Sequence, residues 1–376
     1  MNHINDLIII GVSHHNTLSM IRSVGHEGVK PHVILYGHAR SYIECSKYMA
    51  SFMHVDTAEE AVEALAGFCK GADHKPIVIT CSDEISMILD RRYDELCNLC
   101  FFFNAGERGR VTHFMDKQVQ TTLAKECGFA TPWSIECLPG NTPFDKVQYP
   151  CIVKPKESVY GGKKFFVCDT LDELKNSIQE FDSAYPVIVQ QFVKGEYEIV
   201  IIGLTIDGKS YIPGFAQKHR DYKGGTTYST ILPISKLPQS ILDAANNMLT
   251  SIKYEGLWGI ECIKQRDNYY FIELNLRNDA TTYSLAVAGV NLPLAYYYSK
   301  QENDIKDFVY NKVDTVDSMV EFEDFNFVLK RTVSLVQWKK QRDRCRCRYY
   351  YDTNDMAPYR AKRREYISFL FHRLFH

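Results

Sequence analysis

The sequence lacks both glycine patterns that most often announce a nucleotide site. Gly11 closes the first apolar run but is followed by Val-Ser-His-His-Asn, so the GxGxxG fingerprint is missing and NAD binding is not expected. No GxxxxGK[ST] occurs, which removes the P-loop class. No apolar run approaches the ~18 residues of a membrane span. The start, "MNHINDLIIIGVSHH", has an apolar core of only six residues and no cleavage-like pattern after it, so it reads as a buried strand rather than a signal peptide. Among 12 cysteines, Cys97 and Cys100 form one CxxC without a second pair at zinc-binding spacing. Cys345 and Cys347 lie among arginines. All are read as ordinary reduced thiols of a cytoplasmic protein. Internal repeats, low-complexity segments and long flexible linkers are also missing.

What is present is a soluble globular composition, 45% hydrophobic and 24% charged, over 376 residues, long enough for two or three domains. The net charge of −2 hides an asymmetry. From Lys330 to His376 there are 13 Lys/Arg against 4 Asp/Glu, leaving 31 against 42 in the preceding residues. The body is acidic and the C-terminal segment basic.

Residues 6–110 alternate strand and helix patterns. "LIIIGV", "KPHVILYG" and "KPIVITC" read as strands; "NTLSMIRSVGHEG", "AEEAVEALAGFCK" and "DEISMILDRRYDELCNLC" read as helices. Such alternation predicts a parallel, doubly wound sheet. A second unit follows, with strands at "YPCIVKPK" and "PVIVQQFV". A third holds "GEYEIVIIGLTIDGKSYIPGFAQKHR", a loop "DYKGGTTYST", a helix "PQSILDAANNMLTSI" and a hairpin containing Glu261 and Glu273.

The chemistry concentrates in "FIELNLRNDATTYSLAVAGVNLP". Glu273, Asn275 and Arg277 alternate along a strand and so share a face. If Arg266-Asp267-Asn268 is a three-residue hairpin loop, Gln265 pairs with Tyr269 and Glu261 falls opposite Glu273. Opposed carboxylates repel, and a hard divalent cation between them resolves the repulsion, with Asn275 adding an oxygen. Arg277 is then placed to hold a transferring phosphoryl group. A structural Glu–Arg ion-pair network is the competing reading.

Upstream, Lys154 and Lys156 flank a proline and leave one face of a strand, where solvated lysines are the bland alternative. The "YGGKK" run shifts that balance, since Gly161 and Gly162 let backbone amides approach an anion. The Gln190-Gln191-Phe192-Val193 segment joins two apolar strands, as a hinge whose backbone could read an adenine edge. Glu196 or Glu198 could accept ribose hydroxyls. In "QKHRDYKGGTTYST", Lys218, His219 and Arg220 are expected to hold an anionic substrate, with a mobile basic loop as the alternative. Lys156, Arg220 and Arg277 are the expected catalytic cations.

In order and spacing, Lys117, Lys154, "VQQFVKGEYE", Glu261 and "ELNLR" resemble the ATP-grasp superfamily over roughly residues 1–300. The resemblance implies an α/β chain, α+β in its C-terminal half: an ATP-grasp fold behind a doubly wound pre-ATP-grasp domain. It implies domains at 1–112, 113–193 and 194–310, then a basic extension at 311–376. By the same resemblance Lys117 and Lys154 contact ATP phosphates and Glu198 the ribose. Glu261, Glu273 and Asn275 bind Mg²⁺, or Mn²⁺ in its place, and Arg277 steadies an acyl phosphate. "SYIECSKY", "AGVNLPLAYY" and "DTNDMAPY" make the chain most similar to carboxylate–amine ligases related to D-aspartate ligase. Asp279 departs from the glycine many relatives have there, and Gln190 from their glutamate. The expected partners are a small carboxylate and an amine, not nucleic acid, and a homodimer is compatible. A carbamoyl-phosphate-type or bicarbonate-using ligase and a non-catalytic ATP-binding subunit remain alternatives. "AKRREYISFLFHRLFH" reads either as an interfacial helix on an anionic membrane or as a segment packing Tyr366, Phe369, Leu370 and Phe371 on the body.

Overall fold

The computed structural model describes residues 5–37, 41–156 and 165–375, with side chains to Phe371. The first unit runs β1 (Leu7–Gly11), α1 (His15–Gly25), β2 (His32–Tyr36), β3 (Ser51–Val55), α2 (Ala58–Gly71), β4 (Ile77–Thr80), α3 (Asp83–Arg91) and α4 (Tyr93–Leu96). Its strands form a parallel sheet in the order β3-β2-β1-β4. Every residue of β1 is buried, because helices cover both faces. Ile8 and Ile10 pack into one apolar cluster, Leu7 and Ile9 into the other. β3 is not visible as a strand in the sequence: its Ser51, Met53 and His54 are exposed, and only pairing with β2 defines it.

Next come α5 (Arg110–Phe114), α6 (Lys117–Cys127), β5 (Ser134–Cys137), β6 (Cys151–Pro155), β7 (Phe166–Cys168), α7 (Leu171–Ile178) and β8 (Val187–Gln191). Asp116 caps α6 by accepting the N–H groups of Gln118 and Val119, and Gly128 ends it in the left-handed region at φ 106°. The strands form an antiparallel sheet, β5-β8-β6-β7, over a small core of its own that includes Cys151, Val153, Leu174 and Val189.

The remaining chain contains β9 (Tyr197–Ile206), β10 (Lys209–Tyr222), β11 (Gly225–Pro233), α8 (Gln239–Ile252), β12 (Gly256–Gln265), β13 (Asn268–Asn275), α9 (Thr281–Val287), α10 (Leu292–Ser299), α11 (Lys306–Val309), β14 (Val316–Met319), α12 (Glu321–Asp324), α13 (Asn326–Leu329), α14 (Leu335–Arg344), β15 (Cys347–Arg348) and α15 (Met356–Phe375). They build a seven-stranded sheet ordered β13-β12-β9-β10-β11-β14-β15. The indole of Trp258 lies flat against Gly203, where a Cβ would sit 2.1 Å from the ring.

Residues 311–376 are therefore not simply appended: β14 and β15 are the outer strands of this sheet. The segment is also locked to the first unit. Arg22, fully buried on α1, reaches Asp355 at 3.2 Å and the carbonyls of Tyr349 and Tyr350 at 2.8 and 3.1 Å. Ser46 donates to the same Asp355 carboxylate at 2.8 Å. In α15, Tyr366 stacks near Phe322, but Phe369 and Phe371 stand more than half exposed. Phe369 lies beside Tyr366, so the expected packing on the body is made through Tyr366 while these two rings stay largely open to solvent.

Candidate active site

The β12–β13 hairpin positions the acidic groups. Its turn is two residues, Arg266-Asp267, with Gln265 opposite Asn268, not the three residues the spacing suggested. A bulge between Glu261 and Cys262 restores the lost residue, and Glu261 still falls opposite Glu273. Arg277 lies past the strand end, yet its Nη2 donates to Asn275 Oδ1 at 3.0 Å. Its Nε donates to Asp83 Oδ1 at 2.9 Å. Asp83 begins α3, so the first unit holds the guanidinium from outside the sheet.

Lys218 occupies the center. Its ammonium donates to Glu261 at 2.5 Å and Glu198 at 3.2 Å, with only 8% of the side chain exposed. Burial works to lower the lysine, but Glu261, Asp221 and Glu198 outweigh it and hold the ammonium above the ordinary lysine range. Burial, with Glu273 opposite and Lys218 opposing, pushes the Glu261 carboxyl up to about 7. Lys117 stands 3.8 Å from Glu273. Burial and the Lys117 charge hold Lys154 below the usual lysine range, while Nζ donates to Gln190 Oε1 at 3.0 Å. Lys117, Lys154 and Glu273 therefore share one neighborhood.

Two clefts meet at Lys218. One, of about 410 Å³, is bordered by Val193, Glu198, Lys218 and Ile263. In the hinge beside it, the Gln191 and Phe192 N–H groups donate to Trp133 and Pro150 carbonyls at 2.9 and 3.0 Å. The Val193 N–H has no partner among the described residues. The other, of about 500 Å³, runs from Glu261, Glu273 and Arg277 to the carboxyl ends of β1 and β4, where His14, His15 and Ser82 line it. Ligand sites of small-molecule enzymes commonly have such volumes.

Several expected site residues are engaged in other contacts, Arg220 and Glu196 while still bordering the smaller cleft. Arg220 holds Asp324 by two contacts, at 2.9 and 2.7 Å, and Trp338 and Thr227 donate to the same buried carboxylate at 3.0 and 2.8 Å. A regular strand would put Lys218 and Arg220 on one face; a bulge between them breaks the alternation. Lys156 is paired with Glu136 on β5 at 2.7 Å and lines neither cleft. Glu196 is exposed and accepts the Arg266 N–H at 2.8 Å; both it and Glu198 border the smaller cleft, and Glu198 is the one that meets Lys218 there. "DYKGGTTYST" is not a loose loop: β10 and β11 join through Lys223-Gly224, whose φ of 53° and 80° suit a tight hairpin turn. Gly161 and Gly162 lie outside the described residues.

Sequence reasoning missed Asp83, Asn16 and Asn278. Asn278 donates to Asn16 Oδ1 at 2.5 Å, and Asn16 donates back to the Asn278 carbonyl at 3.0 Å, joining α1 to the residue after Arg277. The available signal was topological, since ligands of doubly wound sheets sit outside the carboxyl ends of the strands.

A parallel sheet ahead of one antiparallel and one mostly antiparallel sheet, with acidic and basic groups converging between them, defines the class: an ATP-grasp fold. Residues 138–290 match the sequence model of the ATP-grasp domain. The chain is 30% identical over 160 residues to the carbamoyl-phosphate synthase of Methanobrevibacter smithii, covering 39% of this chain and 41% of that protein, less than half its length. It is similar in fold to an L-amino acid ligase from Bacillus licheniformis (TM-score 0.62, 15% identity, 84% of this chain and 80% of that one). It is likewise similar to the N5-carboxyaminoimidazole synthase of Aspergillus clavatus in complex with ADP and its aminoimidazole ribonucleotide (TM-score 0.63, 13% identity, 84% and 82%). Over residues 138–290 the chain thus matches the ATP-grasp domain, and it shares the fold of these enzymes.

Proposed function

We propose that the chain is an ATP-dependent carboxylate–amine ligase. The observation that carries this reading is Glu261 opposite Glu273, with Asn275 and Arg277 beside them, at the junction of a hinge-bordered cleft and a second cleft with room for substrates. The names of the similar proteins, a carbamoyl-phosphate synthase and an L-amino acid ligase, support it.

The donor set fits a hard cation. Two carboxylates stand opposite each other, with the Asn275 amide oxygen, which accepts from Arg277, two residues along, and burial that raises the Glu261 carboxyl is a cost a cation would offset. No group of three or more His, Cys, Asp or Glu capable of holding a metal occurs among the described residues, so phosphate oxygens and water would complete the shell. Glu261, Glu273 and Asn275 would hold Mg²⁺, or Mn²⁺ on the same oxygens, which when bound neutralizes phosphate charge.

The reaction has two steps. A substrate carboxylate oxygen attacks the γ-phosphorus of ATP, ADP leaves, and an acyl phosphate forms. An amine nitrogen then attacks the acyl carbon, phosphate departs, and the amine gives up a proton as the amide forms. Val193 N–H meets the adenine edge and Glu198 the ribose. Lys117 and Lys154 pair with phosphates, and Arg277, fixed by Asp83, holds the phosphoryl group as it transfers. The protein contributes position and charge rather than a nucleophile.

The test is ADP release by the full chain with ATP and Mg²⁺ against a panel of carboxylic acids, amino acids and amines. Release that requires both an acid and an amine supports the reading. A second reading, phosphorylation of bicarbonate, is favored by the carbamoyl-phosphate synthase relative; release driven by bicarbonate alone selects it. ATP binding without turnover selects a non-catalytic subunit. No helix among the described residues is long and apolar enough to cross a membrane. The exposed Ile367, Phe369 and Phe371 of α15, behind exposed Arg363 and Arg364, are the residues a membrane surface would meet. Cosedimentation with anionic vesicles, compared with a truncation before Lys339, tests that contact.

A further inference from the structure

We propose that Asp279 is the base of the second step: its Oδ2 takes the proton that an ammonium-form amine must lose before attacking the acyl phosphate. This rests on the ligase reading and adds the residue that readies the second substrate. Asp279 follows Arg277 by two residues and borders the same cleft of about 500 Å³, with 14% of its side chain exposed. Its two oxygens are used differently. Oδ1 accepts the Thr281 N–H and hydroxyl at 2.8 and 2.6 Å, an Asx turn that leads into α9. Oδ2 makes no hydrogen bond among the described residues and stands 4.0 Å from Arg277 Nη1. From below, the Asp279 Cβ lies 3.4 Å from where a Cβ on Gly259 would stand, so β12 holds the residue closely. The turn needs one acceptor oxygen, and asparagine supplies it equally well. The second oxygen is therefore surplus to the fold, and it lies beside the guanidinium assigned to the phosphoryl group.

The other acceptors on this wall are committed. Glu261 and Glu273 are the proposed cation ligands, and Asp83 accepts the Arg277 Nε at 2.9 Å. His14 spends Nδ1 accepting the Asn16 N–H at 3.2 Å, which in the neutral ring leaves Nε2 as a donor. Burial, then Arg277 and Lys362, hold that imidazole down to about 4, so it does not take up a proton at neutral pH. Glu84 is exposed and accepts the Tyr36 hydroxyl at 3.0 Å. A general base must be unprotonated and within reach of the proton it removes, and Asp279 Oδ2 meets both conditions at the Arg277 end.

The proton count makes the role testable. An alkylamine or amino acid arrives largely as its ammonium at neutral pH. One proton must leave before the nitrogen has a lone pair to give the acyl carbon. As the C–N bond forms and the acyl C–O bond to phosphate breaks, the departing phosphate takes a second proton and the amide keeps the third. Asp279 takes the first and returns it to water. Hydroxylamine is a weaker base and arrives neutral, so the phosphate takes the only proton it loses and no further base is needed.

The experiment uses the full chain with ATP, Mg²⁺ and the activating acid, identified first with hydroxylamine and then given its best amine, with ADP, hydroxamate and amide measured separately. Asp279→Asn should lower amide formation about 100-fold or more while hydroxamate formation, which also reports folding, falls no more than about threefold. The amide formed per ADP should drop as well, because the stranded acyl phosphate is left to water. Raising the pH supplies neutral amine directly and should narrow the gap between variant and wild type. Asp279→Ser keeps an oxygen for the turn and should show the same split. Parallel loss of amide and hydroxamate in both variants would make Asp279 a support for Arg277 and overturn the inference, as would unchanged amide formation or a gap that pH does not narrow. No acid-dependent ADP release by the wild type even with hydroxylamine overturns the ligase reading itself, and the inference with it.

Discussion

Replacing Lys218 by Met removes the cation that, among the described residues, contacts both Glu198 and Glu261 at the junction of the two clefts. At an effective dielectric constant of about 20, contacts of 2.5 and 3.2 Å correspond to gross attractions of about 7 and about 5 kcal/mol. Desolvation of the groups offsets much of this, and Glu198, 39% exposed, is screened by water. Stranding a mostly buried carboxylate such as Glu261, 17% exposed, typically costs about 3–5 kcal/mol. Local opening of β9, β10 and β12 should then rise by roughly two to three and a half orders of magnitude. Hydrogen exchange resolved to these strands reads the change directly. The same reasoning expects Mg²⁺ with ADP to restore more protection in the variant than in the wild type, because a second cation takes over the vacated role. Unchanged exchange in β9 and β12, or equal stabilization of both proteins by Mg·ADP, would refute the idea that Lys218 is the resident counter-ion of the site.

Three further outcomes are expected. Glu273→Gln should lower ADP formation at least ~100-fold with the fold intact, since a charged ligand is lost where charge develops; retained turnover with normal magnesium dependence would sink the metal assignment. Arg220→Lys should cost about 1.5–3 kcal/mol in urea denaturation, because lysine cannot span both Asp324 oxygens, with substrate KM values unchanged; a KM effect without a stability effect would return Arg220 to the substrate site. Burial, with His14 and Lys362 nearby, holds the His15 imidazole well below 6.5. Below pH ~6.5 the unfolded chain therefore takes up a proton that the folded one does not, and stability falls as pH is lowered. Urea midpoints between pH 8 and 5 should fall less in His15→Phe than in the wild type, and parallel profiles would contradict this.

The parallel sheet of the first unit was legible because apolar runs such as "LIIIG" read as strands covered on both faces, as their burial shows. β3 was not, since exposed residues on an edge strand carry no alternation. Glu261 meets Glu273 as the spacing required, but through a two-residue turn and a bulge whose effects cancel. The bulge beside His219 is offset only past Arg220, at Asp221, which is why Lys218 and Arg220 looked equivalent in sequence and part in space. Arg22 comes from a helix pattern, and Ser46 and Asp355 from two stretches that looked like separate family signatures; the three turn out to be one buried clamp. Contacts between residues more than 300 positions apart leave no local pattern to read.

The central claim is that a substrate carboxylate takes the γ-phosphoryl group at the Glu261–Glu273–Arg277 end of the cleft. It is tested most directly by supplying the activating acid with ¹⁸O in its carboxylate and following the label during turnover with an amine. An acyl phosphate requires one carboxylate oxygen to leave with the phosphate, so labeled inorganic phosphate should appear in step with ADP and amide. Amide and ADP formed with all the label retained in the organic product or released to water would contradict the account.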